Sequence, residues 1–163
     1  MVGKNTPKTV MLLGGSLRAF LLFRVPLIQD LRKRGLTVHC VYWDNDGNDD
    51  HPEIQGVTWK NLGGDHIASI LQDIRPLKKL LGLLRSNRPD SVLCFNAKPI
   101  FFGGLVGYLP LRYPPKFTVL MEGRGVGLNF IGKKGGFPWL QSLLFRISVR
   151  KLPKWIFLNA EDE

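Results

Sequence analysis

The sequence predicts an α/β fold in which a parallel β-sheet carries helices on both faces. Short apolar runs typical of buried strands alternate along the chain with longer segments whose apolar residues recur every three or four positions. Strands that alternate with helices form parallel sheets through right-handed crossover connections. The 163 residues show no internal repeat and no break in composition, so a single domain is expected.

The first strand is predicted at residues 9–15, where TVMLLGG is a short apolar run that ends in a glycine turn. A helix follows, and its apolar stripe consists of Phe20, Phe23, Leu27 and Leu31. Pro26 is expected in a first turn or at a kink, and Gly35 is expected to end the helix. LTVHCVYW, residues 36–43, is the second predicted strand.

A shorter third strand is predicted at residues 56–62, after an acidic, turn-rich loop. The next helix is predicted at residues 67–87. Its apolar stripe consists of Ile67, Leu71, Ile74, Leu77, Leu81 and Leu84. Pro76 predicts a break in this helix, with Asp73 as a possible cap for the second piece.

The remaining elements are a strand at 91–96, a loop with the sequence NAKP, a short helix at 100–109, a strand at 116–123, a helix at 137–150 and a strand at 155–160. In parallel α/β sheets ligands bind beyond the carboxyl ends of the strands. The loops that follow predicted strands directly are residues 14–18, 96–99 and 122–127. We therefore expect these three loops to share one edge of the sheet.

The composition indicates an anionic partner. The net charge is +10 and the sequence pI is about 10.0. Such an excess suits nucleic acid, a phosphorylated ligand or an acidic membrane, and charge alone does not choose among them. The longest apolar run, residues 100–111, is shorter than the roughly 20 residues that a membrane-spanning helix needs.

The cysteines and histidines suggest no metal site. Cys40 and Cys94 lie in strand-like runs without CxxC spacing, which favours buried, reduced thiols and a cytoplasmic protein. The three histidines, His39, His51 and His66, have no metal-ligand spacing, and we assign them no role.

The densest glycine stretch is GRGVGLNFIGKKGG, residues 123–136. A phosphate-binding P-loop needs Ser or Thr after its lysine, whereas Lys134 stands there. Neither this stretch nor GGSLR after the first strand is GxGxxG, which disfavours a dinucleotide-binding domain. Two interpretations remain: glycines that let a ligand approach backbone N–H groups, or a flexible turn with no ligand.

Four segments resemble the N-terminal domain of glycosyltransferase family 4 enzymes that build bacterial capsule, exopolysaccharide, lipopolysaccharide and other lipid-linked saccharides. They are FLLFRVPLIQDLRKRGLTVHCV, LLRSNRPDSVLCFNAKPIFFGGL, FTVLMEGRGVGLNFIGK and WIFLNAEDE, and together they extend over nearly the whole chain. The resemblance implies that residues 1–163 form one Rossmann-like domain, the acceptor-binding half of a GT-B fold. The C-terminal donor-binding domain would be absent from this chain and would join it in cis or as a separate subunit.

The implied activity of the full-length protein is that of a retaining hexosyl- or N-acetylhexosaminyltransferase. The donor would be a nucleotide sugar, UDP-linked, and the acceptor a saccharide on a polyprenyl diphosphate. The protein would be peripheral on the cytoplasmic face of the inner membrane. No cofactor or metal is expected in this chain, and alone it is expected to be inactive.

The resemblance places the acceptor and phosphate site on the three loops. Its residues are Gly14, Gly15, Ser16, Arg18, Asn96, Lys98, Pro99, Gly123, Arg124, Gly125 and Gly127. Many members of the family have a histidine after the fifth strand, but here Glu122 and Arg124 flank Gly123. Glu122 could bind sugar hydroxyls or orient the acceptor hydroxyl as a base, or it could form a salt bridge with Arg124 or another local base. Arg18 and Lys98 suit phosphate binding, although Arg18 could equally be a solvated charge.

A candidate membrane-facing surface lies on the helix predicted at 67–87. Its cations, Arg75, Lys78, Lys79 and Arg85, stand opposite the leucine stripe. They could be simply solvated, or they could contact anionic lipid while Leu80, Leu83, Phe137 and Trp139 insert shallowly. We interpret GGLVG, residues 103–107, as a site of close packing between a helix and the sheet.

The alternative function is that of a basic nucleic-acid- or nucleotide-binding protein without transferase activity. The chain contains no RRM, KH or zinc-finger pattern, and its aromatic residues look like core, so no nucleic-acid partner is expected.

Overall fold

The computed structural model describes residues 8–43, 51, 53–64, 74–121, 138–150 and 152–157. The strands are β1 (Thr9–Leu13), β2 (Thr37–Tyr42), β3 (Val57–Asn61), β4 (Ser91–Phe95), β5 (Lys116–Met121) and β6 (Lys154–Phe157). The helices are α1 (Leu17–Phe23), α2 (Val25–Lys33), α3 (Ile74–Asn87), α4 (Ala97–Val106) and α5 (Pro138–Val149).

The strands form one sheet in the order β3-β2-β1-β4-β5-β6, and every neighbouring pair is parallel. This is the strand order of Rossmann-like domains, and it confirms the predicted fold class. The direction of winding reverses between β1 and β4, where Met11 has His39 of β2 on one side and Val92 of β4 on the other. All the carboxyl ends lie along the same edge of the sheet.

Helices cover both faces of the sheet, as predicted. Alternate side chains of β1 point to opposite faces, so the neighbours of each side chain show which helices pack on which face. Leu12 belongs to a core cluster with Phe20 of α1 and Ile28 of α2. Leu13 belongs to a second cluster with Leu80 of α3 and with residues of α4. The pair α1–α2 therefore packs on one face, and α3 and α4 pack on the other.

The first predicted helix is in fact two. α1 ends at Phe23, and α2 begins at Val25 with Pro26 in its first turn. Because proline has no N–H to donate to the carbonyl four residues earlier, the first helix cannot continue through it. The apolar stripe predicted across this point is wrong at Phe23, whose side chain is 65% exposed, whereas Phe20 is buried.

The predicted apolar stripe of α3 is confirmed at Leu84, which is buried, and at Leu77 and Leu81, which pack against the core, but it is wrong at Ile74. Pro76, Leu80 and Leu84 are its buried residues, at intervals of four, and Ile74 is 62% exposed. Leu80 is fully buried, so its predicted insertion into a membrane is wrong; Leu83 is half-buried against the core. The predicted helix residues 67–73, Phe137 and the side chain of Trp139 lie outside what the structure describes.

Two glycines set the position of α4, as interpreted for the GGLVG segment. A Cβ added at Gly103 would come within 2.7 Å of the Cys94 sulfur on β4. One added at Gly104 would overlap the backbone carbonyl of Ser148 on α5. The helix thus packs closely on the sheet and on α5 at the same time. Cys94 and Cys40 are buried free thiols, and burial raises the pKa of both.

Candidate functional site

The loops after β1 and β4 meet at the point where the strand order reverses. In open α/β sheets this is where the connections diverge to opposite faces and leave a crevice for ligands. A Cβ placed on Gly15 would lie 3.7 Å from Oδ1 of Asn96. The structure therefore brings together two of the three loops, residues 14–18 and 96–99, that the sequence places on one edge.

Gly14 has a structural reason to be glycine. It is buried, and a Cβ there would overlap the ring of Phe20 on α1. Its N–H donates to the carbonyl of Val41 at 2.9 Å, so that donor is already used within the fold. Gly14 therefore shapes the turn, whereas Gly15 is the glycine that lies beside Asn96.

Ser16 starts α1 as its N-cap. Its Oγ accepts a hydrogen bond from the N–H of Ala19 at 3.2 Å, as serine does at many helix starts. Arg18 lies in the first turn and is exposed. Its guanidinium can therefore reach a ligand at the crevice mouth without breaking a contact that the core needs.

Asn96 has a strained backbone conformation. Its φ of 70° and ψ of 164° lie in a region that is favourable only for glycine. Asparagine is among the few other residues that tolerate a positive φ. The side chain is exposed beside Gly15, and the carbonyl accepts from Ile100 N–H at 3.1 Å. Strain of this kind holds an amide side chain at the crevice.

Lys98 and Pro99 lie in the first turn of α4, not in a loop as predicted. The helix begins at Ala97 because Asn96 supplies its N-cap position and proline is compatible with a first turn. Lys98 is only 3% exposed. A buried ammonium is costly without compensating polar contacts, so Lys98 does not offer a solvated side chain at this edge of the sheet. The prediction that Lys98 lies in a loop is wrong, and its role in phosphate binding stays a prediction.

The third predicted loop lies outside the described residues. It comprises Glu122, Gly123, Arg124, Gly125 and Gly127. β5 runs parallel to β4, with Leu120 opposite Phe95, and its last residue is Met121. β5 therefore ends at the same edge of the sheet as β4.

A comparison with family models identifies the chain. The model described as glycosyl transferase 4-like matches residues 10–143. The chain belongs to the glycosyl transferase 4-like family. No curated protein matches it.

One cation of this glycosyl transferase 4-like domain was missed by sequence reasoning. The Arg24 guanidinium carbon lies 4.6 Å from the centroid of the Phe95 ring. Phe95 directly precedes Asn96 in the chain. Burial lowers the pKa of Arg24. Pro26 is the sequence feature that could have identified Arg24. Because a helix restarts at the proline, Arg24 lies at the junction between α1 and α2, where its side chain can reach the sheet.

The charges at the crevice have one sign. Residues 14–24 and 95–99 contain Arg18, Arg24 and Lys98 and no aspartate or glutamate. The described residues contain no group of three side chains suited to holding a metal ion. This part of the transferase domain can therefore attract a phosphate through its cations.

No helix in the described ranges is long and apolar enough to cross a bilayer.

Proposed function

We propose that this domain is the acceptor-binding half of a retaining glycosyltransferase. The complete enzyme transfers a sugar from a UDP-linked nucleotide sugar to a saccharide on a polyprenyl diphosphate. The observation that supports the proposal is the proximity of Gly15 and Asn96 at the reversal of strand order, within a chain of this family. Both loops lie at the carboxyl edge of the sheet, where the exposed Arg18 is available to an anionic ligand.

The donor, in this proposal, binds to a C-terminal domain that joins the described domain in cis or as a separate subunit. Across the cleft, Arg18 contacts the acceptor diphosphate because it is exposed at the start of α1. Lys98, buried in the first turn of α4, is the second cation that the proposal assigns to the phosphate site. Glu122 orients the acceptor hydroxyl, with Arg124 and the glycines after it around the sugar.

The chemistry of the proposed acceptor also implies where in the cell the enzyme works. A polyprenyl-linked saccharide resides in a membrane, so the enzyme works on the cytoplasmic face of the inner membrane of a bacterium that makes capsule or lipopolysaccharide. Anionic lipid then explains the large positive charge. The family match does not favour the alternative of a nucleic-acid- or nucleotide-binding protein without transferase activity.

The test is transfer by the complete enzyme with altered cations. Loss of a charge-assisted hydrogen bond costs roughly 1.5–3 kcal/mol, so we expect Arg18→Ala to lower kcat/KM by tenfold or more. Arg112→Ala is the matched control, because Arg112 is an exposed cation just before β5, at the opposite edge of the sheet. Equal effects of the two changes would remove Arg18 from the site. Absence of transfer from any nucleotide sugar would refute the function.

A further inference from the structure

A cavity of about 500 Å³ opens at the amino edge of the sheet, at the other end of the strands from the Gly15 and Asn96 loops. Its lining includes the first residues of β4, β5 and β6, which are Ser91, Lys116 and Lys154. Pockets that hold small molecules have volumes of roughly 300–1,000 Å³. This amino-edge cavity therefore has room for a small ligand, at a place that the proposed function does not use.

Four polar side chains of the amino-edge cavity lie on one face of the sheet. The register pairs Ser91 with Lys116, and residues paired between parallel strands point to the same face. It likewise pairs Thr118 with Lys154. Lys116 and Thr118 share a face because they are two residues apart, with Phe117 buried on the opposite face between them. The cavity thus has two ammonium and two hydroxyl groups on one face, and all four can donate hydrogen bonds.

The two lysines are exposed and near each other. Neighbouring strands lie about 4.8 Å apart and alternate residues of one strand about 6.6 Å apart, so the Cα atoms of Lys116 and Lys154 are roughly 8 Å apart. Within the described part of the chain, neither ammonium group has an ion pair or a hydrogen bond. Two like charges at this separation repel each other, and an anion that contacts both removes the repulsion.

The carboxylate that is nearest along the chain does not neutralise these lysines. Asp90 directly precedes Ser91, but its Oδ2 accepts a hydrogen bond from the N–H of Thr9 at 2.8 Å. Thr9 belongs to β1, which borders β4 on the side away from β5. The described residues that line the cavity include no aspartate or glutamate. A phosphate group suits such a site, because it offers three acceptor oxygens and up to two negative charges.

Prolines supply the apolar part of the amino-edge cavity. Pro114 and Pro115 directly precede β5, and Pro153 directly precedes β6. Because the proline ring fixes φ, these walls are already in place before a ligand binds. A phosphate ion alone is much smaller than the cavity, whereas an apolar group attached to the phosphate would lie against the proline rings.

We propose that the amino-edge cavity binds a small phosphorylated molecule. Its phosphate lies between Lys116 and Lys154 and accepts hydrogen bonds from the hydroxyl groups of Ser91 and Thr118, and the rest of the molecule packs on the prolines. The domain then has two separate anion sites, since Arg18 lies at the other edge of the sheet. This inference does not rest on the proposed function.

The experiment is calorimetry of the chain with phenyl phosphate and with inorganic phosphate at constant ionic strength. Phenyl phosphate should bind several-fold more tightly, because its ring is withdrawn from water against the prolines. Lys116→Gln combined with Lys154→Gln should weaken the binding of phenyl phosphate tenfold or more through the loss of two charge-assisted contacts. Thr118→Val keeps the branched shape and removes the hydroxyl group, so binding about threefold weaker is expected.

The matched control removes the same charge elsewhere. Lys33→Gln combined with Lys78→Gln changes two exposed lysines on α2 and α3 and should alter binding less than twofold. Arg18→Ala should likewise alter it less than twofold. Lys78 belongs to the group of cations predicted to face a membrane, and the structure places all of them exposed on α3: Arg75, Lys78, Lys79 and Arg85.

Three results would overturn the proposal. They are no binding of phenyl phosphate by the unchanged chain, equal losses in the two double variants, and a loss in Arg18→Ala without one in the Lys116 and Lys154 double variant. Thermal unfolding of each variant shows that the fold is intact. The two proposals fail separately, because absence of sugar transfer by the complete enzyme refutes the glycosyltransferase function and leaves the calorimetric result standing.

Discussion

The guanidinium of Arg24 lies over the ring of Phe95, one residue before the strained Asn96. A cation above an aromatic ring contributes roughly 0.5–2 kcal/mol, more when it is partly withdrawn from water. Arg24 is half-buried, and its Nη1 also donates to the carbonyl of Phe23 at 3.3 Å. The residue therefore joins the α1–α2 junction to the end of β4 and stabilises the position from which Asn96 starts α4.

His39 is the residue whose protonation should reduce stability. It is half-buried in β2, and its Nδ1 has no hydrogen-bond partner within the described ranges. Burial lowers the pKa of His39 below the ordinary 6.5, and the charge of Lys60 lowers it further. The folded state thus resists a proton that the unfolded state accepts. Stability should be retained above about pH 6.5 and fall as the pH drops through the lowered pKa.

The measurement is the melting temperature at a series of pH values. His39→Gln should reduce the loss of melting temperature on acidification, because the titrating group is gone. Lys60→Gln should reduce it less, since the lysine is the smaller cause. A pH profile that is the same in the unchanged protein and in His39→Gln would show that other groups control the acid response.

At the scale of elements, two glycines of α3 and α4 should respond in opposite ways to alanine. Gly104→Ala would force a methyl group into the backbone of Ser148, which is rigid, so a loss of about 1–3 kcal/mol is expected. Gly82 is exposed in α3 with nothing within 4 Å of its Cβ position, and alanine there should stabilise by about 0.4–1 kcal/mol. Denaturant unfolding measures both; a stable Gly104→Ala protein would contradict the packing of α4 on α5.

The strands could be predicted from the sequence because a parallel sheet buries both of its faces. The central strands are then continuous apolar runs, and all six strands were predicted; the predicted end of the last one, at residue 160, lies outside the described residues. The positions of the loops at the carboxyl ends of the strands followed directly from the alternation of strands and helices along the sequence. The fold class and the meeting of the Gly15 and Asn96 loops were therefore within reach of the sequence.

The helices were less predictable, for two physical reasons. An apolar period gives the spacing of a stripe but not which of two adjacent apolar rows packs on the sheet, so Leu80 was placed outward and Ile74 inward. Pro26 restarts the helix and shifts the stripe, which left Phe23 exposed. The burial of Lys98 depends on where α4 begins. The sequence predicted that helix at residues 100–109, so Lys98 was placed in the loop before it, whereas α4 begins at Ala97.

At the scale of the molecule, the topology gathers cations at one end of the domain. Because β1 and β4 are adjacent, their following helices leave toward opposite faces, with Arg18 on one and Lys98 on the other. Arg18 is exposed on the α1 side, whereas Lys98 on the α4 side is buried. The proposed function places the phosphorylated acceptor at this end of the sheet.

If this domain holds the acceptor, it should bind a diphosphate and not the nucleotide sugar. Calorimetry with the isolated chain should show salt-sensitive binding of a short prenyl diphosphate, weakened about tenfold or more by Arg18→Ala through loss of a charge-assisted contact. Arg112→Ala, at the other edge, should bind as the unchanged chain does. UDP-sugars should show no heat of binding, because the proposal assigns the donor to another domain. Tight binding of a UDP-sugar, unaffected by Arg18→Ala, would instead make this domain the donor site and reverse the assignment of the two substrates.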